Sequence, residues 1–248
     1  MNKTIIIIMA GGNGKRMESP LPKVLHNLDD IPIIVRIINT SKLLNPRKIL
    51  VVVGKHQKLI EETIQQYIDL SGIVFVNQPF ANGTGDAIKC CYNELQSYIN
   101  DNILILSGDV PLITKEIMFN ILNDLNVCKI VVANSENPFG LGRIIMKENS
   151  FEKIVEEKDC TNDEKKISLI NTGVYAFKSE ILCKYLPYIK NNNMQQEYYL
   201  TDIIEIIKIK ENIDIQLLKI LPHDLYKLTG INTKKQLKDL EQLYKSIF

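Results

Sequence analysis

The chain has 248 residues, 45% of them hydrophobic, with 30 basic and 29 acidic side chains for a formal net charge of +1. That content supports one large core or two modest ones, and the interspersed charges leave no basic face for nucleic acid. A small-molecule partner is expected instead.

The β-branched apolar run Thr4 to Met9 predicts an interior strand. It is too short to cross a membrane and carries no signal-cleavage pattern, so a cytoplasmic protein without a membrane partner is expected. Further strands are predicted near 49–54, 73–77, 103–107 and 129–134. Between them, Pro32 to Leu44, Gln57 to Leu70, Gly85 to Ile99 and Thr114 to Asn126 carry apolar residues at helical spacing. This alternation is that of an α/β, doubly wound sheet. Beyond Pro138 it breaks down, and the apolar run Ile170 to Phe177 reads as part of an insertion forming a lid or wall. Leu200, Ile203, Ile204 and Ile207 make a helical stripe, with Thr201 or Asp202 as its cap. Thr233 and Gln236 have capping-box spacing ahead of a last helix lined by Leu237, Leu240, Leu243 and Ile247. The five cysteines have no CxxC pair and read as reduced thiols.

After the first strand comes Ala10-Gly11-Gly12-Asn13-Gly14-Lys15-Arg16-Met17, then Pro22-Lys23. Glycines let backbone approach phosphate oxygens, and Arg16 and Lys23 add charge, which suits a nucleoside triphosphate. The loop fits neither common phosphate motif. A Walker A loop needs Ser or Thr where Arg16 stands and glycine where Met9 stands, and the dinucleotide fingerprint needs glycine at Met17. A tight turn with solvated cations is the alternative.

Three further segments carry chemistry. Asp109 follows the apolar strand 103–107 at the carboxyl edge of the sheet and is a candidate ligand for Mg2+, which takes one or two protein oxygens plus phosphate and water; capping the next turn is its other reading. Gln78, in a glycine-bearing turn, offers an amide donor and acceptor to uracil, with Gly83 allowing close approach. Thr84 is a sugar or nucleotide contact or only the cap of the following helix. Glu156 and Asn171 are candidates for sugar hydroxyls and Asn232 for a second metal oxygen, each beside a turn.

In their joint order these residues resemble the sugar-1-phosphate nucleotidyltransferases, nearest the N-acetylglucosamine-1-phosphate uridylyltransferase domain of bacterial bifunctional GlmU-type enzymes. The similarity runs from about Ile5 to Tyr244. It rests on the Ala10–Met17 loop, Leu21-Pro22-Lys23-Val24-Leu25-His26, Gly83-Thr84-Gly85, Gly108-Asp109-Val110-Pro111-Leu112, Gly142-Arg143-Ile144, Ile154-Val155-Glu156, Asn171-Thr172-Gly173, and the stretch Asn191 to Asp202. The resemblance implies a Rossmann-like, GT-A-like mixed sheet with a sugar-binding insertion. It implies a single domain over 1–248, with a nucleotide half at 1–135, a sugar-binding part at 136–232 and a C-terminal helix at 233–248.

It further implies transfer of UMP from UTP to N-acetylglucosamine-1-phosphate. Arg16 and Lys23 would be catalytic, Ala10, Gly11, Gly12, Gln78, Gly83 and Thr84 would bind nucleotide, Gly142, Glu156 and Asn171 would bind sugar, and Asp109 and Asn232 would hold Mg2+. Ser107, Leu141 and Ala81 depart from the family's pattern, near sugar or base. The chain ends where the bifunctional enzymes continue into an acetyltransferase β-helix, so acetyl transfer is not expected, and a monomer or homodimer is expected in place of the β-helix trimer. A uridylyl- or thymidylyltransferase for another hexose-1-phosphate, or a catalytically silent nucleotide-sugar-binding regulatory protein, is the alternative.

Overall fold

In the sequence stretch Ile5 to Ile8 every residue is fully buried, because it lies inside a sheet covered on both faces. The structure is a computed structural model describing residues 3–12 and 14–247, with the backbone alone of Lys15; Asn13 of the glycine loop lies outside the described residues.

The strands are β1 (Thr4–Met9), β2 (Asn27–Leu28), β3 (Ile31–Pro32), β4 (Lys48–Val53), β5 (Ile73–Asn77), β6 (Asn102–Ser107), β7 (Cys128–Asn134), β8 (Arg143–Lys147), β9 (Ser150–Val155), β10 (Leu169–Lys178) and β11 (Gln216–Ile220). The helices are α1 (Ile33–Lys42), α2 (Gln57–Tyr67), α3 (Thr84–Cys90), α4 (Tyr92–Gln96), α5 (Lys115–Leu122), α6 (Ser179–Tyr185), α7 (Asp202–Glu211) and α8 (Lys234–Ile247). The predicted strands of the first half are all present. The helix expected over Gly85 to Ile99 is instead two short ones, α3 and α4, meeting at the buried Cys91.

The main sheet has the order β11-β7-β10-β6-β1-β4-β5, with the β8–β9 hairpin hung from β10. β1 pairs in parallel with β4 and β6, β4 with β5, and β11 with β7, whereas β10 runs antiparallel to both β6 and β7. The sheet is therefore mixed, as expected. The segment Ile170 to Phe177 is not a lid or wall: it is the body of β10, inside the sheet. The reason is its two apolar faces. Ile170, Val174 and Ala176 enter the core beneath α1 and α5, while Tyr175 and Phe177 enter the opposite core with α6 and α7. The β8–β9 hairpin extends the same sheet through the pairing of Arg143 with Ile170, and its Ile144, Phe151 and Ile154 join the second core.

β1 distributes itself in the same way, Ile6 and Ile8 to the first core and Ile5 and Ile7 to the second. Since β1, β4, β5 and β6 are parallel, their carboxyl ends share one edge. Backbone bonds extend the pairing there, from Ala10 N to Val52 O (2.8 Å), Gln78 N to Val53 O (2.7 Å) and Gly108 N to Met9 O (2.9 Å). Gly108 is required for this approach, because a Cβ would lie 2.6 Å from Met9 O. Three loops are thus gathered at one edge, the place where open α/β sheets bind ligands.

Candidate active site

The three loops enclose a cleft of about 320 Å3. Ala10, Gly11 and Gly12 form one wall, Gln78, Gly83 and Thr84 another, and Lys23 and Asp109 close an end. Eight of the predicted site residues therefore meet in one space. Met17, fully buried, pins the short helical turn Lys15–Met17 after the glycines to the core.

The Gln78 side of the cleft is a turn held from outside. Gly83 has φ +109°, and a Cβ there would stand 2.5 Å from Tyr198 O; only glycine fits. Tyr198 N donates to Asn82 O (2.8 Å) and Gly85 N to Tyr198 O (2.7 Å), so the segment 197–200 is laced to the turn like a strand. Thr84 is not the cap of α3. Gly83 holds that position, and Thr84 Oγ1 accepts from Leu200 N at 3.0 Å. Gln78 is buried, and its Nε2 donates to Gly83 O (3.1 Å) and Asp86 Oδ2 (2.9 Å). Both amide hydrogens are spent within the protein, so only the acceptor Oε1 is left for a ligand.

At the other end, cations and oxygens alternate. Lys23 Nζ donates to Asp109 Oδ2 in a tight, largely buried ion pair and to Asn232 Oδ1 at 3.0 Å. Arg16 Nη2 donates to the same Asn232 oxygen at 3.0 Å, although Arg16 itself is exposed. Asp109 Oδ1 accepts from Ser107 Oγ at 2.7 Å. Ile231 N donates to Asp109 O (2.9 Å), bringing the 229–232 loop beside the end of β6. Asn232 is steadied in turn by α8. The predicted capping box is present, with Gln236 N to Thr233 Oγ1 at 3.1 Å and Thr233 N to Gln236 Oε1 at 3.0 Å; the latter oxygen also accepts from Asn232 N at 2.8 Å.

Gly142, Glu156 and Asn171 meet each other but do not line this cleft. A Cβ on Gly142 would lie 3.4 Å from Glu156 Oε2 and 3.5 Å from Asn171 Cβ, and Asn171 N donates to Gly142 O at 2.9 Å. Glu156 Oε1 accepts from Thr201 Oγ1 (2.9 Å), which is why Thr201, at the cap position of α7, makes no side-chain cap. Asn171 Nδ2 donates to Tyr175 Oη at 2.6 Å. Burial pushes the Glu156 carboxyl above its ordinary range, with the charges of Asp159 and Glu197 adding to the effect. The carboxyl of Asp202 is likewise pushed up to about 6, mainly by burial and then by Glu156 and Glu205. The segment 197–201 joins this cluster to the cleft: Glu197 lines the cleft and Thr201 holds Glu156.

The family model for MobA-like NTP transferase domains matches residues 6–173, which includes the glycine loop, the Gln78 turn, Asp109 and Asn171. The chain belongs to this nucleotidyltransferase family. A relative from Acanthamoeba polyphaga mimivirus, named a probable UDP-N-acetylglucosamine pyrophosphorylase, is 45% identical over 98% of this chain and 97% of its own length. The bifunctional protein GlmU of Rippkaea orientalis is 36% identical over 94% of this chain but only 50% of its own length, and that of Sulfurimonas denitrificans is 36% identical over 97% and 53%. This nucleotidyltransferase thus spans about half the length of the bifunctional relatives. A crystal structure from Bacillus anthracis, named a "putative glucose-1-phosphate thymidylyltransferase", superposes with a TM-score of 0.75 over 99% of this chain and 96% of its own at 20% identity, a likeness of fold.

The oxygen donors of this nucleotidyltransferase suit a hard divalent cation. Asp109 Oδ2 and Asn232 Oδ1 already converge on one cationic atom, Lys23 Nζ, so both reach a single point. One carboxylate and one amide oxygen, with phosphate or water completing the shell, is a donor set that magnesium accepts. Ser107 and Glu197 are polar residues of the cleft lining that motif reading missed, as it missed Asp86, which stands behind the lining and holds Gln78. Ser107 stood out only as a departure from the family pattern, and its spacing of two from Asp109 is the signal that a hydroxyl can reach the carboxylate.

Proposed function

We propose that the chain transfers UMP from UTP to N-acetylglucosamine-1-phosphate, giving UDP-N-acetylglucosamine and pyrophosphate. The observation that carries this reading is that Lys23 and Asp109 line the glycine-walled cleft on the β6 side and Gln78 on the β5 side, with Asn232 bound to Lys23 and Arg16 bound to Asn232 behind them. Such a cleft receives a base at one end and phosphates at the other. The mimivirus relative, named a probable UDP-N-acetylglucosamine pyrophosphorylase and similar over nearly the whole of both chains, supports the choice of sugar and base.

The sugar phosphate oxygen attacks the α-phosphorus of UTP, a new P–O bond forms, and the bond to the β-phosphate oxygen breaks with pyrophosphate leaving. No side chain need remove a proton, because a phosphate monoester with a second pKa of about 6 is already largely ionised at neutral pH. The chain's task is in-line placement and charge neutralisation. The backbone of Ala10, Gly11 and Gly12 borders the phosphates, Gln78 and the turn at Gly83 orient the base, and Arg16 and Lys23 take the charge accumulating on the pyrophosphate. Gly142, Glu156 and Asn171 receive the sugar. Asp109 and Asn232 would hold Mg2+, which supplies further neutralisation of phosphate charge when bound. Five free cysteines favour a reducing compartment, which suits a cytoplasmic setting, and among the described residues no helix is long and apolar enough to cross a membrane.

Asp109→Asn should abolish most pyrophosphate release while leaving the melting temperature near that of the wild type. Lys23→Ala should lower turnover roughly a hundredfold or more, the scale of losing one electrostatic group at a reacting centre. Near-normal release by the Asp109 variant would refute the metal assignment.

A further inference from the structure

Asp86 lies outside the cleft wall, in the first turn of α3, and no step above uses it. Its carboxylate nevertheless decides what the base end of the cleft presents. A carboxamide can be turned over by half a rotation about its last bond, exchanging an N–H donor for a C=O acceptor at nearly no change in shape. In Gln78 that freedom is removed by chemistry. Gly83 O and Asp86 Oδ2 are both pure acceptors, so only the NH2 group can face them, at 3.1 Å and 2.9 Å. The oxygen is thereby forced to the other side, against Gly11, where a Cβ would stand 3.0 Å from it. Among the described residues Oε1 takes no protein donor, and Gln78 and Gly11 both line the cleft.

We propose that Asp86 is a positioning residue that locks the Gln78 carboxamide acceptor-outward and so selects a base carrying an imide N–H. This inference rests on the reading of the cleft as a nucleotide site. Uracil offers N3–H between two carbonyls, which an outward oxygen accepts. Cytosine offers a lone pair at the same ring position, which that oxygen repels. Thymine has the same imide as uracil, so the lock does not separate those two. Of the two acceptors, Asp86 is the stronger because it carries charge, and a hydrogen bond to a charged group is worth about twice a neutral one. Its basic neighbour along α3, Lys89, feels the charge of Asp86 but donates its hydrogen bond to Ile189 O at 2.9 Å, so the carboxylate's hydrogen bond goes to Gln78.

The structural alternative is that Asp86 merely places negative charge at the first turn of α3, where the helix dipole favours it. The two roles separate by titration calorimetry of the whole chain with UTP and with CTP. The wild type should bind UTP more tightly than CTP, and Asp86→Ala should shrink that ratio by roughly tenfold or more, the scale of losing a hydrogen bond to a charged group. Affinity for N-acetylglucosamine-1-phosphate should stay unchanged. Asp86→Ser, whose hydroxyl is one bond too short to reach Nε2, should do the same and serves if the alanine variant does not fold. A variant that melts earlier but keeps the wild-type ratio overturns the lock, as does a wild type that binds both nucleotides equally. Because the readout is binding, a wild type that prefers UTP yet releases no pyrophosphate would sink the transferase reading while the variants still decide the role of Asp86.

Discussion

Ser107 donates to one oxygen of Asp109 while Lys23 takes the other, so the carboxylate is fixed at both ends. Removing the hydroxyl in Ser107→Ala should free the carboxylate to rotate and lower turnover roughly tenfold, the scale of a hydrogen bond to a charged group, with little change in melting temperature. Steady-state assays of the purified variant check this, and an unchanged kcat would mean Lys23 and the backbone suffice. Asp202 allows a second test by pH. Its folded-state pKa, about 6, lies above the ordinary 3.8, so the folded chain binds this proton more tightly than the unfolded one. The sign follows: its contribution to stability is fully present below about pH 4, declines as pH rises toward 6, and is gone above it. Asp202→Asn should therefore raise the melting temperature at pH 7.5 and not at pH 4. A shift of equal size at both values would contradict the assignment. Asp109, Lys23 and Asn232 were legible as single residues because each sits in a short motif beside a glycine or proline. The partners of Gln78 were not. An amide in a turn advertises a donor and an acceptor, and only folding brings Asp86 and Gly83 O close enough to consume the donor.

The capping box of α8 serves two purposes, since Gln236 Oε1 accepts from Thr233 N and from Asn232 N. Gln236→Ala should cost about 1 kcal/mol, typical of a lost cap, and should also slow turnover by loosening Asn232. Denaturant melts and kinetics on one preparation read both. A stability loss without any kinetic change would show that Asn232 holds its place through the loop alone. This element could be read from the spacing of Thr233 and Gln236, because a capping box depends only on residues three apart. The break of the expected Gly85 to Ile99 helix could not, since apolar spacing continues across Cys91 and only packing separates α3 from α4. The lacing of Tyr198 to Asn82 and Gly85 was hidden for the same reason: its partners are more than a hundred residues apart.

At the scale of the molecule, hydrophobic runs announced the strands, and alternation with helices announced their parallel arrangement as far as β7. They did not show where β10 would go. A run that is apolar on both faces suits any interior place, and its direction is set by the chain's return past the β8–β9 hairpin, which sequence periodicity does not encode. That return also delivers Asn171 and, through the hairpin, Gly142 and Glu156 to one cluster beside the nucleotide cleft. On the proposed function this arrangement would serve two substrates, with the base beside Gln78, the triphosphate at the glycine loop and the sugar beyond segment 197–201. The most direct test is pyrophosphate release by the purified chain with Mg2+, UTP and a panel of hexose-1-phosphates. Release with N-acetylglucosamine-1-phosphate well above that with glucose-1-phosphate, and with UTP well above CTP, is the expected result; no release with any pair, despite nucleotide binding, would contradict the account.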